Sequence, residues 1–295
     1  MQIATSVLPD STRMGEVVLD VANLASMKAF YAGVVGLDIL DDAATVRLGR
    51  KADPAVGKPE LTILTLRENK ALPMRPQGSA GLYHTAILFE SPAHLAAAIY
   101  RIAREVPQLY TGSGDHHVSQ AFYLDDPEGN GVELYVDRPR DQWIWDNGQV
   151  HMTTNYIDPQ AFVNQHAAKD REPGVAPDVA DATSLGHVHL QVGNVREARD
   201  FYVNKLGFAA TAQLGNQALF VSAGGYHHHM AMNTWGTAGT GLRVPALGLG
   251  RVDVVLPSRS DIDDAVARLG SVRDDGCSIE VDDPWGNIVR LTPAS

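Results

Sequence analysis

The sequence repeats itself, and this internal repeat constrains the fold more than any other feature of the chain. Residues 14–37 read MGEVVLDVANLASMKAFYAGVVGL, and residues 185–208 read LGHVHLQVGNVREARDFYVNKLGF. Identical residues recur 171 positions apart: Gly15 and Gly186, Asn23 and Asn194, Phe30 and Phe201, Tyr31 and Tyr202, Gly36 and Gly207. Each copy opens with the alternation of a strand, continues through an asparagine that can cap a helix, and ends near a glycine that can terminate one. The chain is therefore expected to fold from repeated modules.

A second pair of segments repeats in the same way. Residues 81–91 read GLYHTAILFES and residues 248–258 read GLGRVDVVLPS, both consistent with a strand. The sequence Asp-Pro-x-Gly-Asn follows at 126–130 and at 283–287, where it predicts a turn before an apolar strand. Together the repeats predict an α+β chain of four modules, each a strand, a helix and three strands. They lie near residues 13–66, 81–138, 185–235 and 246–293.

The modules group into two regions, as the length of 295 residues also suggests. We expect an N-terminal region at 1–140 and a C-terminal region at 183–295, each with two modules. Between them, residues 141–182 carry several prolines and many polar residues, a composition typical of a linker. Trp143 and Trp145 indicate that part of this linker packs against the rest of the protein.

The charge of the chain argues against some partners. Lys and Arg total 24 and Asp and Glu total 35, so the formal net charge is −11. A chain this acidic is a poor partner for nucleic acid or for an anionic membrane surface. Residues 1–13 lack the basic flank and apolar core of a targeting segment, and no apolar stretch is long enough to span a bilayer. We therefore expect a soluble cytoplasmic protein.

The cysteine and histidine content limits the kind of metal site. The chain has a single cysteine, Cys277, and eleven histidines. One cysteine cannot form an intrachain disulfide or a multi-cysteine zinc or iron–sulfur site. Any transition-metal site in this chain is therefore expected to use histidine and carboxylate ligands.

The repeated organisation resembles the vicinal oxygen chelate superfamily, which includes glyoxalase I, fosfomycin-resistance proteins and type I extradiol dioxygenases. In that family two βαβββ modules form a curved sheet around one divalent metal. The ligands come from the first strand of each module and often from the last. The resemblance covers nearly the whole chain, and it implies four βαβββ modules that form two curved-sheet clefts.

The four modules differ at the positions where that family carries its ligands. The first-strand positions hold, in chain order, Glu16, His84, His187 and Arg251. The last-strand positions hold apolar residues or Thr near 63–65, then Glu133, one of the histidines at 227–229, and Arg290. Arginine cannot bind a cation, because it stays protonated and has only donors. Good ligands are therefore concentrated in the second and third modules.

Three pairings of the modules are open, and each gives a different site. Modules one and two would offer Glu16, His84 and Glu133, whereas modules three and four would offer only His187 and one further histidine. Modules two and three would offer His84, Glu133, His187 and a fourth histidine. We favour this last pairing because it collects every good ligand in one cleft. The set of His84, Glu133 and His187 has the two-histidine, one-carboxylate composition of non-haem Fe(II) oxygenases.

A longer motif supports the same family. Residues 114–133 read GDHHVSQAFYLDDPEGNGVE, which is similar to the signature of type I extradiol ring-cleavage dioxygenases. The resemblance implies that Glu133 is the metal carboxylate and that Tyr123 hydrogen-bonds the catecholate oxygens. It also places His116 near the substrate hydroxyl.

A run of three histidines is the other notable cluster. Residues 224–235 read GGYHHHMAMNTW, and strand alternation would put His227 and His229 on one face and His228 on the other. The resemblance places His229 either at a fourth ligand position, as in glyoxalase I, or as the catalytic acid/base of an extradiol enzyme. A neutral imidazole suits either role. The sequence as a whole resembles the CatE-type branch of the catechol 2,3-dioxygenases.

The function implied by the resemblance is extradiol cleavage of a small aromatic diol by O2, with Fe(II) or Mn(II) as the metal. Catalytic roles would then fall to His229, Tyr123 and His116. Extradiol enzymes commonly form homo-oligomers, so the resemblance leaves that state open. Two other classes remain: a glyoxalase-like lyase or isomerase with Zn or Ni and four ligands, and a metal-free small-molecule binding or resistance protein.

Overall fold

The computed structural model describes residues 6–167 and 183–294. The part of the predicted linker at 168–182 lies outside the described residues, as do residues 1–5 and Ser295. The limits of the two predicted regions and of the linker between them stay a prediction. Within the described ranges, no helix combines the length and the apolar character that crossing a membrane requires.

The order of elements repeats four times along the chain. The first module consists of β1 (Arg13–Val21), α1 (Leu24–Ala29), β2 (Asp38–Asp42), β3 (Val46–Arg50) and β4 (Leu61–Glu68). The second consists of β5 (Gly81–Phe89), α2 (Pro92–Glu105), β6 (Tyr110–Asp115), β7 (Ser119–Asp125) and β8 (Gly131–Asp137). The segment between the halves holds β9 (Trp145–Asp146), β10 (Gln149–Val150) and α3 (Pro159–His166).

The second half of the chain repeats the same order. The third module consists of β11 (Thr183–Gln191), α4 (Val195–Arg199), β12 (Ala209–Leu214), β13 (Ala218–Ser222) and β14 (Met230–Asn233). The fourth consists of β15 (Gly248–Leu256), α5 (Arg259–Leu269), β16 (Arg273–Asp274), β17 (Ile279–Asp282) and β18 (Ile288–Pro293). Helices α1 and α4 each continue into a π-helical turn, at Phe30–Val35 and Asp200–Lys205. The prediction of four βαβββ modules is confirmed.

The repeated asparagines begin helices, as the sequence predicts. The Asn23 side chain accepts a hydrogen bond from the backbone N–H of Ser26 at 3.0 Å, which caps α1. The Asn194 side chain accepts from the N–H of Arg196 at 2.8 Å and caps α4 in the same way. Each cap satisfies a backbone donor that the first helical turn leaves free.

The modules pair into two eight-stranded sheets. Sheet 2/3, of the second and third modules, has the order β12-β13-β14-β11-β5-β8-β7-β6, and sheet 1/4 has the order β16-β17-β18-β15-β1-β4-β3-β2. In each sheet the two first strands of the modules run antiparallel at the centre, β5 beside β11 and β1 beside β15. The favoured pairing of the second module with the third is therefore confirmed. Each sheet takes strands from both halves of the chain.

Strand alternation separates the core from the cleft. On β11, Val188 and Leu190 are fully buried in the main hydrophobic core. His187 and His189, at the alternate positions, line a cavity on the other face of sheet 2/3. The core therefore fixes the orientation of the histidines, because a one-residue slip of β11 would bury them among apolar side chains.

The repeated Phe-Tyr and Asp-Pro-x-Gly-Asn motifs form hydrogen bonds between the two sheets. The Tyr31 hydroxyl, from the first module, donates to Asp126 Oδ2 in the turn of the second module at 3.0 Å. The Tyr202 hydroxyl of the third module donates to Asp283 Oδ2 of the fourth at 3.0 Å. Burial raises the pKa of Asp126 to about 6, although its hydrogen-bond donors oppose that shift. The Phe-Tyr and Asp-Pro-x-Gly-Asn motifs thus hold sheet 1/4 against sheet 2/3.

Removing either tyrosine hydroxyl is expected to loosen this contact between the sheets. We expect Tyr31→Phe and Tyr202→Phe each to lower the free energy of unfolding by about 1–3 kcal/mol, because a buried carboxyl loses a donor. Urea unfolding followed by circular dichroism measures the effect. Tyr156→Phe is the matched control, since Tyr156 is 77% exposed, and it should change stability by less than about 0.5 kcal/mol. Equal stabilities for all three variants would show that the two tyrosine–aspartate hydrogen bonds do not hold the sheets together.

Candidate metal centre and active-site cavity

Three predicted ligands lie on three neighbouring strands at the centre of sheet 2/3. His84 is on β5, Glu133 on β8 and His187 on β11, and all three side chains are buried. The Nε2 atom of His84 lies 3.0 Å from Glu133 Oε2, and the Nε2 atom of His187 lies 3.2 Å from the same oxygen. One ligand atom from each residue falls within 4.8 Å of the others. The structure thus brings the predicted triad together.

The protonation states of Glu133 and His187 suit a metal. Burial opposes the ionisation of Glu133, but the adjacent His187 and His84 hold its pKa well below its usual range. Burial lowers the pKa of His187 to about 4, against the attraction of Glu133. An ionised carboxylate and neutral imidazoles are the forms that bind a metal ion.

The contacts of the cluster also point to a cation between its members. The Nε2 atom of His84 is buried and lies 3.0 Å from Glu133 Oε2, but among the described residues it makes no hydrogen bond of good geometry. Lone pairs of two imidazoles and a carboxylate that face one another in a buried space need a positive charge to offset them. Two nitrogen ligands and one oxygen ligand fit a divalent transition metal with coordination positions left for substrate. The residues present therefore fit the metal that the resemblance implies.

A small residue makes room for the three ligands. Ala86 follows His84 on the same face of β5, and it lies opposite His187 on one side and opposite Glu133 on the other. It is fully buried, together with Ala121 of the next strand but one. Larger side chains at position 86 would occupy the space between the ligand-bearing strands.

Filling this space should displace the metal without changing any ligand. We expect Ala86→Leu to weaken Zn(II) binding by roughly 10- to 100-fold, because overpacking costs about 1–3 kcal/mol and falls here on the ligand atoms. Ala98→Leu is the matched control, since Ala98 is equally buried but lies on α2. Calorimetric titration of both variants with Zn(II) measures the difference. Equal affinities would show that position 86 has no influence on the ligands.

The residue before His187 must be a glycine, because the Tyr135 side chain lies very close to its backbone. A Cβ atom at Gly186 would lie 1.7 Å from the Tyr135 hydroxyl oxygen, so no larger residue fits without a shift of the backbone or of Tyr135. The register of β11 against β5 also shifts between Leu185 and His187. The Gly15 and Gly186 repeat, seen in the sequence, therefore has a steric reason in this sheet.

Tyr123 and His116 form a hydrogen-bonded pair beside the cluster. The Tyr123 hydroxyl lies 2.6 Å from His116 Nε2, and Tyr123 faces Glu133 across the strand pair. His116 Nδ1 lies 2.7 Å from the carbonyl oxygen of Thr153, which can only accept, so we assign the proton to Nδ1. Tyr123 then donates to Nε2. Burial and the charge of Glu133 raise the pKa of Tyr123 well above its usual value, and the phenol stays neutral.

The histidine run departs from the predicted alternation. Strand β14 begins only at Met230, and the preceding residues form a loop. Gly224 and Gly225 adopt positive φ angles of 61° and 65° and form the turn that follows β13. The expectation that 227–229 alternate within a strand is wrong for this reason. The Gly-Gly pair at the start of the run was the signal that sequence reasoning could have used.

Of the three histidines, His228 faces the triad. Its ring centroid lies 4.1 Å from that of His187, and its side chain lines the cavity. Burial lowers the pKa of His228 well below its usual value, so the ring is neutral.

His229 is not among the side chains that line this cavity. Its Nδ1 atom accepts from the backbone N–H of Ala223 at 3.2 Å and lies 3.0 Å from the Ser222 hydroxyl. Its ring packs against Tyr226, with centroids 5.0 Å apart. The structure therefore does not bring His229, predicted as ligand or acid/base, to the candidate metal centre.

The cavity has a volume of about 1140 Å³ and opens on the concave face of sheet 2/3. Tyr83, Trp235 and Phe220 line it together with the histidines already described. His189, also in the wall, accepts a hydrogen bond at Nε2 from the Asn233 side chain at 3.0 Å.

The segment between the halves forms part of the cavity wall, which sequence reasoning did not foresee. Residues from Asp146 to Thr154 line the cavity. Trp143 and Trp145 are buried in a cluster with Tyr226, which anchors the β9–β10 hairpin. The expectation that the two tryptophans pack is confirmed.

Sheet 1/4 carries ion pairs at the corresponding positions. Arg251 contacts Glu16 at 3.2 Å and Asp253 at 2.5 Å, and the Arg290 Nε atom donates to the Ser278 hydroxyl at 2.8 Å. Guanidinium groups therefore balance the carboxylates of this sheet. Among the described residues, the candidate metal group is the one on sheet 2/3.

Comparison with known sequences gives two findings. Residues 13–134 and 184–290 match the model of the Glyoxalase/Bleomycin resistance protein/Dioxygenase superfamily. The chain is 37% identical over 280 residues to a catechol-2,3-dioxygenase of Bacillus subtilis (strain 168), which spans 92% of this chain and 91% of that protein.

Solved structures share the fold at low identity. A putative dioxygenase from Bacillus subtilis subsp. subtilis str. 168 has a TM-score of 0.63 and 17% identity, with 99% of this chain and 86% of that chain covered. Glyoxalase I from Zea mays has a TM-score of 0.56 and 15% identity, with 96% and 92% covered. At such identities the likeness concerns the fold alone.

Proposed function

The chain belongs to the glyoxalase/bleomycin resistance protein/dioxygenase superfamily, and we propose that it is an extradiol dioxygenase that opens the ring of a catechol-type substrate with O2. One observation carries the proposal: His84, Glu133 and His187 converge at a cavity that also holds the Tyr123–His116 pair. The identity of 37% to a catechol-2,3-dioxygenase supports it over most of the chain.

The triad would hold the metal through the Nε2 atoms of its two histidines and the Glu133 carboxylate. When bound, a divalent metal, which we take to be Fe(II) with Mn(II) as the alternative, supplies a Lewis acid for the two diol oxygens and redox chemistry toward O2. The chain contributes the ligands, their protonation states and the shape of the cavity.

Tyr123 and His116 would hold one side of the substrate. The hydroxyl proton of Tyr123 is engaged by His116 Nε2, so the lone pairs of the Tyr123 oxygen are free to accept from a substrate hydroxyl. The carbonyl of Thr153 fixes the orientation of His116 in turn. In this arrangement the Tyr123 oxygen accepts a hydrogen bond from the diol and orients it. The phenol itself stays neutral.

His228 would act from the side of the third module. It is neutral, lies against His187 and lines the cavity, so it is placed to take a proton from a diol hydroxyl at the ring nitrogen that faces the cavity. The cavity wall formed by residues 146–154 would limit the access of water to the reacting ring.

The proposal is tested by loading the protein with Fe(II) without oxygen, adding catechol and admitting air. We expect oxygen uptake together with a yellow ring-opened product. Protein loaded with Zn(II) is the matched control, and it should bind catechol without consuming oxygen. Bound Fe(II), confirmed by metal analysis, with neither oxygen uptake nor product would overturn the proposal and favour a glyoxalase-like reaction.

A further inference from the structure

A line of hydrogen bonds leads away from the cavity behind His228. The Nδ1 atom of His228 lies 2.8 Å from Nδ1 of His227, and Nε2 of His227 lies 2.9 Å from Asp137 Oδ1. Asp137 ends β8, the strand that carries Glu133. The His227 side chain is fully buried, whereas the Asp137 side chain is 24% exposed, so the line reaches the surface. None of these contacts is used by the metal triad.

The chemistry of the partners assigns the protons along this line. Asp137, as a carboxylate, can only accept, so the proton of a neutral His227 resides on Nε2. Its Nδ1 atom is then an acceptor, and the bond between the two rings requires a proton on Nδ1 of His228. The remaining ring nitrogen of His228, Nε2, is left with a lone pair.

The surroundings hold this arrangement in place. The second carboxylate oxygen of Asp137 accepts from the Tyr226 hydroxyl at 2.9 Å. The Tyr226 ring packs on His227 with centroids 4.1 Å apart, and its hydroxyl lies 2.8 Å from that of Tyr135. Both oxygens of the carboxylate therefore have donors, and His227 has little freedom to turn.

We propose that Asp137 and His227 are positioning residues that hold His228 in the Nδ1–H form, so that its Nε2 atom faces the cavity as a proton acceptor. The inference rests on the proposed function only for the identity of the proton donor, a substrate hydroxyl. The arrangement of carboxylate, imidazole and acceptor follows the logic by which a buried carboxylate sets the tautomer of a catalytic histidine.

The tautomer can be read without any turnover. In Zn(II)-loaded protein labelled with 15N-histidine, we expect the NMR shifts of His228 to report a proton on Nδ1 and none on Nε2. Asp137→Asn presents an amide donor to His227, which should move the proton of His227 to Nδ1 and that of His228 to Nε2. Tyr226→Phe is the matched control, because it removes the other donor to Asp137 and leaves the contact with His227. A proton on Nε2 of His228 in the unaltered protein would overturn the proposal.

Kinetics with Fe(II)-loaded protein separate a positioning role from a general loss of structure. We expect Asp137→Asn to lower kcat by about 100-fold or more, the scale of acid–base catalysis, with KM and metal content unchanged. In the His228→Ala background the same change should cause no further loss, because its effect passes through His228. A further loss in the double variant would overturn the proposal. If the unaltered protein consumes no oxygen, the proposed function fails, and the NMR result still decides the tautomer.

Discussion

Replacing Glu133 with glutamine is expected to abolish ring cleavage and to weaken metal binding more than any other single change in the cavity. The amide has the shape of the carboxylate but lacks its charge, and its N–H group can donate to the nearby His84 or His187, which lie 3.0 and 3.2 Å from the present oxygen. We expect metal affinity to fall by more than about 100-fold, beyond the loss typical for groups that only support a ligand.

Metal analysis and oxygen uptake measure this effect side by side. Glu128→Gln is the matched control, because it removes the same charge from the same module. Glu128 accepts from the backbone N–H groups of Ala22 and Asn23 at 3.0 and 2.7 Å and lies outside the metal cluster. It should keep its metal and its turnover. Turnover by Glu133→Gln protein with iron bound would exclude the carboxylate from the ligand set.

His228→Ala is expected to keep the metal and to lose turnover. His228 is not one of the three converging ligands, but it lines the cavity beside His187. The loss of a positioned acid–base group lowers kcat by about 100- to 10,000-fold, and we expect a change within that range. Single-turnover measurements with bound Fe(II) would locate the loss at ring opening rather than at substrate binding.

His229→Ala provides the contrast, since the two histidines are neighbours in the sequence. The side chain of His229 accepts from the buried N–H of Ala223, so its removal should lower the free energy of unfolding by about 1–3 kcal/mol. We expect kcat near that of the unaltered protein. Loss of metal in His229→Ala would identify His229 as a ligand, and loss of turnover in this variant alone would reverse the roles assigned to the two residues.

Much of the fold could be predicted because the relevant signals are local and repeated. Alternation marked the strands, and Asn23 and Asn194 marked helix starts that the structure confirms as caps. The pairing of the second and third modules also followed from the sequence, through the chemistry of Arg251 and Arg290, which cannot bind a cation.

The candidate site could also be predicted only in part. His84, Glu133 and His187 occupy equivalent positions in repeated strands, so their convergence could be anticipated once the modules were paired. Tyr123 and His116 lie in one motif, and the structure brings them together beside the triad. His229, predicted as ligand or acid/base, does not line the cavity, because its ring packs against Tyr226 and accepts a hydrogen bond from the Ala223 N–H.

The sequence alone determined the four modules, the faces of their strands and the residue types available for a metal, since alternation and repeat can be read from the order of residues along the chain. Only the tertiary structure decided which histidine of the run faces the cavity, that the segment after Pro139 forms its wall, and that Asp137 and His227 stand behind His228. These outcomes depend on contacts between segments that are distant in the chain, such as the hydrogen bond between His227 and Asp137, which are 90 positions apart. Such contacts are set by the packing of a loop against a sheet, and no local pattern encodes them.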